Sequence, residues 1–233
     1  MKNLIFDIEA DGLTPSKIWC IVAKDLDSNT VYEYGPDKLE EGIELLRNAE
    51  TLVGHNIIGY DIPVIEKLHR VKLTSNVIDT LVLSRLFQPV RENGHSLRTW
   101  GYRIGVHKQV QPDDFDCYTP EMLSYCRQDV LLNEQVYLKL LEEGRGFNQE
   151  SIDLETNVAK IMHEQEQTGF LFDIERASML LAKLKTRMVE VEDEVQRTFK
   201  PKWVDDKLVT PYIKKNGELS KRGLTDEAVS YTH

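Results

Sequence analysis

The chain has 233 residues, enough to bury a full core and to leave room for one domain plus an appendage. With 29 Lys and Arg against 39 Asp and Glu its net charge is −10, which excludes a protein that coats long stretches of nucleic acid through clustered cations. It leaves open an acidic pocket that works through bound metal ions, because such ions reverse the local sign of the charge.

Residues 1–4 run directly into a strand interrupted by Asp7, which is not the pattern of a secretory leader. No apolar run approaches the roughly 20 residues of a membrane span, so no membrane partner is expected. Residues 3–8 read as a strand, closed by a turn at Asp11-Gly12 and Pro15. The stretches 18–24 and 29–34 are rich in β-formers and divided at Asp27-Ser28-Asn29, so a three-strand meander is expected. Helices are expected over 39–48 and 61–69, with a short buried strand over 51–54 between them, and 79–86 and 96–104 also read as helical. Thr119-Pro120-Glu121 marks a helix start: a capping hydroxyl, a proline that needs no hydrogen-bond partner, and an acid beside unpaired N–H groups. That helix runs to about residue 143 and stops at Gly144-Arg145-Gly146. Strands followed by alternating strand and helix predict an α/β domain with a mixed central sheet flanked by helices.

The texture changes near residues 144–150. Residues 152–167 and 173–199 are long helical patterns joined by Gly169-Phe170-Leu171-Phe172, and a polar segment with an Asn216-Gly217 turn follows. The expected division is a domain over 1–148 and a mostly helical extension over 149–233. Three cysteines, Cys20, Cys117 and Cys126, form no Cys-x-x-Cys pair, which disfavours structural zinc or a disulfide framework and suits a reducing cytoplasm.

Acidic residues recur in three places. Side chains alternate along a strand, so Asp7 and Glu9 share one face with Ile5, opposite Leu4, Phe6 and Ile8. Two carboxylates on one face repel and resist desolvation unless a cation compensates; an exposed edge strand with two solvated acids is the plainer alternative. Asp61 opens a helix, where it also fits an N-cap. Tyr125 and Asp129 are one helical turn apart, on a stripe that continues through Leu132, Val136 and Leu140, and a buried tyrosine–aspartate hydrogen bond would also account for them. Asp79 reads as the N-cap of the following helix and is left out of the site. The six histidines show no ligand spacing.

In this order the signatures resemble those of the DEDD exonuclease superfamily: Asp7-Ile8-Glu9, then Asn56 through Tyr60-Asp61, then Tyr125-x-x-x-Asp129. The tyrosine subtype matches, since the histidine subtype would carry His where Ser124 stands. The chain is more closely similar to the proofreading domain of phage-type family A (DNA polymerase I-like) polymerases. Phe6-Asp7-Ile8-Glu9-Ala10, Tyr60-Asp61-Ile62-Pro63, the run 78–86 and Trp100-Gly101-Tyr102-Arg103 carry that similarity, and Gly169 through Asp173 resembles the start of a polymerase region. No palm or finger motif occurs. The resemblance implies a ribonuclease H-like fold and 3′–5′ hydrolysis of single-stranded DNA ends, with a polymerase region in cis or in trans as partner and a phage-encoded protein acting in the host cytoplasm.

It further implies two divalent ions, Mg²⁺ or Mn²⁺, held by Asp7, Glu9, Asp61 and Asp129, which suits a donor set of hard oxygens. Tyr125 would position the attacking water, because a phenol of ordinary acidity is protonated at neutral pH. Ala10, Leu13, Asn56 and Tyr60 would contact the nucleic acid, though Leu13 also fits a core position. Basic residues from Lys200 to Arg222 would touch a duplex backbone or line a solvated hairpin. Two alternatives share the motifs: a ribonuclease D-like trimmer of RNA 3′ ends, and a catalytically silent scaffold for a polymerase.

Overall fold

The structure, a computed structural model, describes residues 2–106 and 116–200. Five strands form one sheet in the order β3-β2-β1-β4-β5: β1 (Lys2–Ala10), β2 (Ile18–Asp25), β3 (Val31–Tyr34), β4 (Ala49–Gly54) and β5 (Asn76–Asp79). The first three make the expected antiparallel meander, while β4 runs parallel to β1 and β5 parallel to β4. The result is a mixed sheet of ribonuclease H-like topology.

The sequence reading missed β5. It is four residues long, too short to show an alternation, and its last residue already caps the next helix.

Helices cover both faces. On one, Leu4, Phe6 and Ile8 pack with Ile43 and Leu46 of α1 (Leu39–Arg47) and Ile65 of α2 (Asp61–His69). On the other, Ile5 packs with Val22, Val53 and three residues of α5 (Pro120–Glu143): Met122, Cys126 and Val130. β1 is therefore the middle strand, buried on both faces, and the edge-strand alternative for Asp7 and Glu9 does not hold. Thr119 caps α5 as expected, its Oγ1 accepting from Met122 N at 3.2 Å, a contact that contributes about 1 kcal/mol.

Between β5 and α5 lie α3 (Thr80–Phe87) and α4 (Leu97–Ile104), held by a polar knot around the fully buried Trp100. The indole N–H donates to Ser84 Oγ at 3.0 Å, and His95 Nδ1 lies 2.9 Å from the same hydroxyl. His95 Nε2 is 3.2 Å from the Pro89 carbonyl, which can only accept, so Nε2 donates there. Arg91 and Arg103 stack on the indole at 4.5 and 4.8 Å, and Arg91 pairs with Glu143 at the end of α5. Ser96 caps α4 by accepting from Thr99 N. The His95-Ser96-Leu97 stretch thus serves folding.

α6 (Gln149–Thr168) belongs with this body: Ile152 joins the cluster of Leu83, Trp100, Leu132 and Val136. The chain's two compact units accordingly divide at Gly169, whereas the texture of the sequence divides it at residue 148. The second unit, from Phe170 on, contains α7 (Ile174–Thr198), capped by Asp173 accepting from Arg176 N at 2.9 Å and with no buried residue. The Asn216-Gly217 turn and the basic residues after Lys200 lie outside the described residues. Among the described residues no helix is long and apolar enough to cross a membrane.

Candidate active site

Asp7 stands opposite Val22 and Glu9 opposite Cys20 in the β1–β2 ladder, and the register slips between Glu9 and Ala10. The irregularity ends regular pairing just past the second acid, a position where bulges re-aim side chains. Both acids are half-buried on the face toward α5. Ligand-capable atoms of Asp7, Glu9 and Cys126 all lie within 4.8 Å of one another. The carboxylate oxygens are hard donors and fit a divalent ion such as Mg²⁺ or Mn²⁺.

Cys126 was missed from the sequence, where it counted only as an unpaired thiol. Its Sγ is 3.4 Å from the Asp7 carbonyl oxygen and 3.7 Å from Asp7 Oδ2. Burial, then a contact with Cys20 and the charge of Asp7, push the thiol well above its usual range. It therefore stays protonated and donates, orienting Asp7. Its place on the inward stripe of α5, between Tyr125 and Asp129, is the signal that could have revealed it.

Asp61 is not the cap of its own helix. Tyr60 holds the N-cap position with no side-chain cap bond, and Asp61 Oδ1 accepts instead from Ile8 N, on β1 between Asp7 and Glu9, at 3.3 Å. Asp61 is 4% exposed. Burial pushes its carboxyl up to about 7, against the backbone N–H groups of Asp61 and Ile8, with the charge of Asp79 adding to the rise. This carboxyl keeps its proton more readily than a free one, and a bound cation would favour its ionised form.

Asp79 caps α3 as expected, its Oδ1 accepting from Leu81 N at 2.9 Å. The same carboxylate also accepts from Asn56 N at 2.8 Å and from Ile58 N at 3.1 Å. It braces the turn that leads into Asp61, and its partners lie too far away in the chain for a local pattern to reveal.

Tyr125 and Asp129 are both buried on the inward stripe of α5. Cys126 anchors this turn of the helix against Asp7, and Asp129 follows three residues on, about 4.5 Å of helical rise.

Of the residues expected to touch nucleic acid, Ala10 is buried and Leu13 is 94% exposed, so Leu13 is not core. Leu13 borders a groove of about 230 Å³ with Pro15, Tyr60, Pro63, Lys67 and His163. The loop carrying it is held by Asp11, which accepts from the backbone N–H groups of Ser16 and Lys17. Tyr60 donates its hydroxyl to the Gly12 carbonyl at 2.5 Å. Burial and the charges of Asp61, Glu9, Asp11 and Asp7 push this phenol up to about 12. Asn56 is exposed, in the left-handed region at φ 66°. A Cβ at Gly59 would stand 2.7 Å from Asn56 Oδ1, the end of an exposed side chain that can turn aside.

No protein-family model matches the chain. In sequence it is 27% identical over 260 residues to the DNA-directed DNA polymerase of Escherichia phage T7, a match covering 84% of this chain and 37% of the polymerase; the polymerase of Enterobacteria phage T3 gives the same values. The chain thus spans well under half the length of these relatives. In fold it is similar to NrnC of Brucella melitensis bound to pGG, with a TM-score of 0.57 at 17% identity over 75% of this chain and 89% of that one. The same protein has been solved with bound Mg²⁺. RNase D of Escherichia coli, an exoribonuclease involved in structured RNA processing, gives a TM-score of 0.54 at 15% identity over 71% of this chain and 46% of that one. The POL domain of Pol1 from M. smegmatis, in complex with DNA primer-template and dNTP, gives 0.58 at 12% identity over 86% of this chain and 34% of that one. In sequence the chain thus resembles phage DNA polymerases, and it shares its fold with NrnC, with the exoribonuclease RNase D and with the POL domain of Pol1.

Proposed function

We propose that the chain is a metal-dependent 3′–5′ exonuclease that hydrolyses single-stranded DNA ends and serves as the proofreading part of a phage-type polymerase, in cis or as a separate subunit. The observation that carries this reading is the gathering of acids from separate stretches at the end of β1: Asp7 and Glu9 beside the Cys126 turn of α5, and Asp61 on the backbone between them. Asp7, Glu9, Asp61 and Asp129 would hold two divalent ions, Mg²⁺ or Mn²⁺, which when bound neutralise a phosphodiester and sharpen a water for attack. In this scheme Asp7 would help to hold both ions, Glu9 and Asp129 would serve the side of the attacking water and Asp61 the side of the leaving group, and the hydroxyl of Tyr125 would position that water.

Leu13 and Tyr60 would hold the last bases of the strand by apolar contact and stacking, which tolerates any sequence. The division of the chain into an exonuclease domain over residues 1–148 and a polymerase-like extension from 149 belongs to the same proposal, with α6 packed on the first part.

A second reading, trimming of RNA, draws support from the fold shared with RNase D. Degradation of matched 5′-labelled DNA and RNA oligomers, with Mn²⁺ and with EDTA, separates the possibilities. DNA shortened stepwise from its 3′ end only with metal supports the proposal. Preferential loss of RNA overturns the choice of substrate, and intact oligomers of both kinds leave a silent scaffold. In the same assay Tyr125→Phe is expected to lower kcat by about a hundredfold or less, because one donor is lost while the four carboxylates remain. Its KM should stay near the wild-type value.

A further inference from the structure

We propose that Asp79 and Thr80, the dipeptide at the junction of β5 and α3, are positioning residues: they fix the turn carrying Asp61 relative to the helix carrying Asp129, and so set how tightly the site takes up divalent ions. This rests on the exonuclease reading for its metal, and on the geometry of one buried junction for its mechanism.

Asp79 and Thr80 are 2% and 0% exposed. The two side chains divide the work. Asp79 holds the Asn56 and Ile58 N–H groups, while backbone bonds from Gly59 N and Tyr60 N to the Asn56 carbonyl close the turn internally. Thr80 works on either side of that turn. Its hydroxyl lies 3.1 Å from the Gly54 carbonyl, the last residue of β4, and 2.8 Å from Asn133 Oδ1 on α5. Both are acceptors, and they share the one hydroxyl proton. His55 Nδ1, 2.9 Å away, is then the group that donates to the threonine oxygen.

Asn133 is buried and lies four residues after Asp129, on the same side of α5. Gly54 and His55 lead directly into the Asn56–Tyr60 turn, and Asp61 follows it. One hydroxyl therefore ties the entrance of the Asp61 turn to the helix that bears Asp129. The turn has no slack. A Cβ at Gly54 would stand 2.1 Å from Ile57 Cγ2 and 3.1 Å from the Phe6 carbonyl, so the turn is pressed back onto β1. A rigid polar brace of this kind acts on ligands as the outer partners of metal sites do, by holding donors at a spacing that carboxylates left to repel would abandon.

The test compares the wild-type protein with Thr80→Val, Thr80→Ser, Asp79→Asn and Asn133→Leu. Mn²⁺ binding is read directly from the free-ion paramagnetic resonance signal, hydrolysis of a labelled single-stranded DNA oligomer is followed across Mn²⁺ concentrations, and thermal unfolding checks the fold. Thr80→Val removes the hydroxyl at nearly constant shape and is expected to weaken Mn²⁺ binding about tenfold or more. The Mn²⁺ needed for half-maximal rate should rise in parallel, while KM for the oligomer changes by less than about threefold. Thr80→Ser restores both metal readouts even if it lowers the melting temperature, which a merely structural role would not do. Asp79→Asn, which turns an amide donor toward backbone N–H groups, should show the same shift. Asn133→Leu breaks the brace from the α5 side and stands in if the Thr80→Val protein does not fold. Wild-type Mn²⁺ affinity in a folded Thr80→Val or Asn133→Leu protein overturns the proposal, as does a serine variant as impaired as the valine one. A wild-type protein that binds Mn²⁺ but cleaves no oligomer defeats the exonuclease reading instead, and the affinity comparison still decides the brace.

Discussion

Asp7→Ala is expected to reduce hydrolysis of a single-stranded DNA oligomer by about a thousandfold or more, on the order of 4 kcal/mol of transition-state stabilisation. Ligand atoms of Asp7 share a 4.8 Å cluster with those of Glu9 and Cys126, and Asp61 is hydrogen-bonded to the next residue of the strand. In the proposed scheme Asp7 would help to hold both ions, so removing it would disturb both at once. The loss should fall on kcat, because Leu13, Tyr60 and the groove they border are untouched. The fold should survive. Asp7 is half-buried, and its removal relieves repulsion with Glu9, so the melting temperature measured in EDTA should stay level or rise. Single-turnover kinetics at saturating Mn²⁺ together with thermal melts make the check. Cleavage by the alanine variant within tenfold of wild type would dispose of the metal scheme.

The second large effect concerns stability and pH. Asp61 has a carboxyl raised from 3.8 to about 7 by burial. Between those values the folded state binds a proton that the unfolded chain has released, so stability must fall as pH rises from about 4 to 7 and level off above. Three pKa units amount to something on the order of 4 kcal/mol. Asp79, also raised by burial, adds in the same direction. Asp25 works the other way: its carboxyl is lowered by N–H groups of Ser28 and Asp27 that outweigh its burial, so its contribution is lost as pH falls below about 4. The protein stripped of metal with EDTA is therefore expected to be most stable near pH 4–5 and to melt several degrees lower at pH 8. Adding Mg²⁺ or Mn²⁺ at pH 8 should recover much of the difference, because a cation favours the ionised form that burial penalises. Melting curves across pH, with and without metal, give the answer. A metal-free protein whose stability climbs steadily from pH 4 to 8 would show that Asp61 is not held as the structure has it.

Much of the architecture can be read in the residues alone. The alternation along β1 separates Leu4, Phe6 and Ile8 from Ile5, Asp7 and Glu9, and the folded sheet keeps that separation, with α1 and α2 on one side and α5 on the other. Thr119-Pro120-Glu121 starts α5 and Gly144 ends it. These features are local: a period of two in a strand, or a spacing of four in a helix, is settled by backbone geometry within a few residues. Asp7 with Glu9, and Tyr125 with Asp129, are local pairs of the same kind, each placed on one face by its own element.

Other features could not be read this way. β5 is too short to display a pattern. Asp61 and Asp79 both look like helix caps from their neighbours, yet Asp61 bonds to β1, 53 residues back, and Asp79 to a turn 21 and 23 residues back. Cys126 meets Asp7 across 119 residues. Ile152 meets a hydrophobic cluster contributed by α3, α4 and α5. Which residues carry hydroxyls, thiols and carboxyls is written in the chain. Which of them lose water, meet one another and become costly to charge is settled by packing, since desolvation and contact between distant segments exist only once the sheet and helices have closed around them.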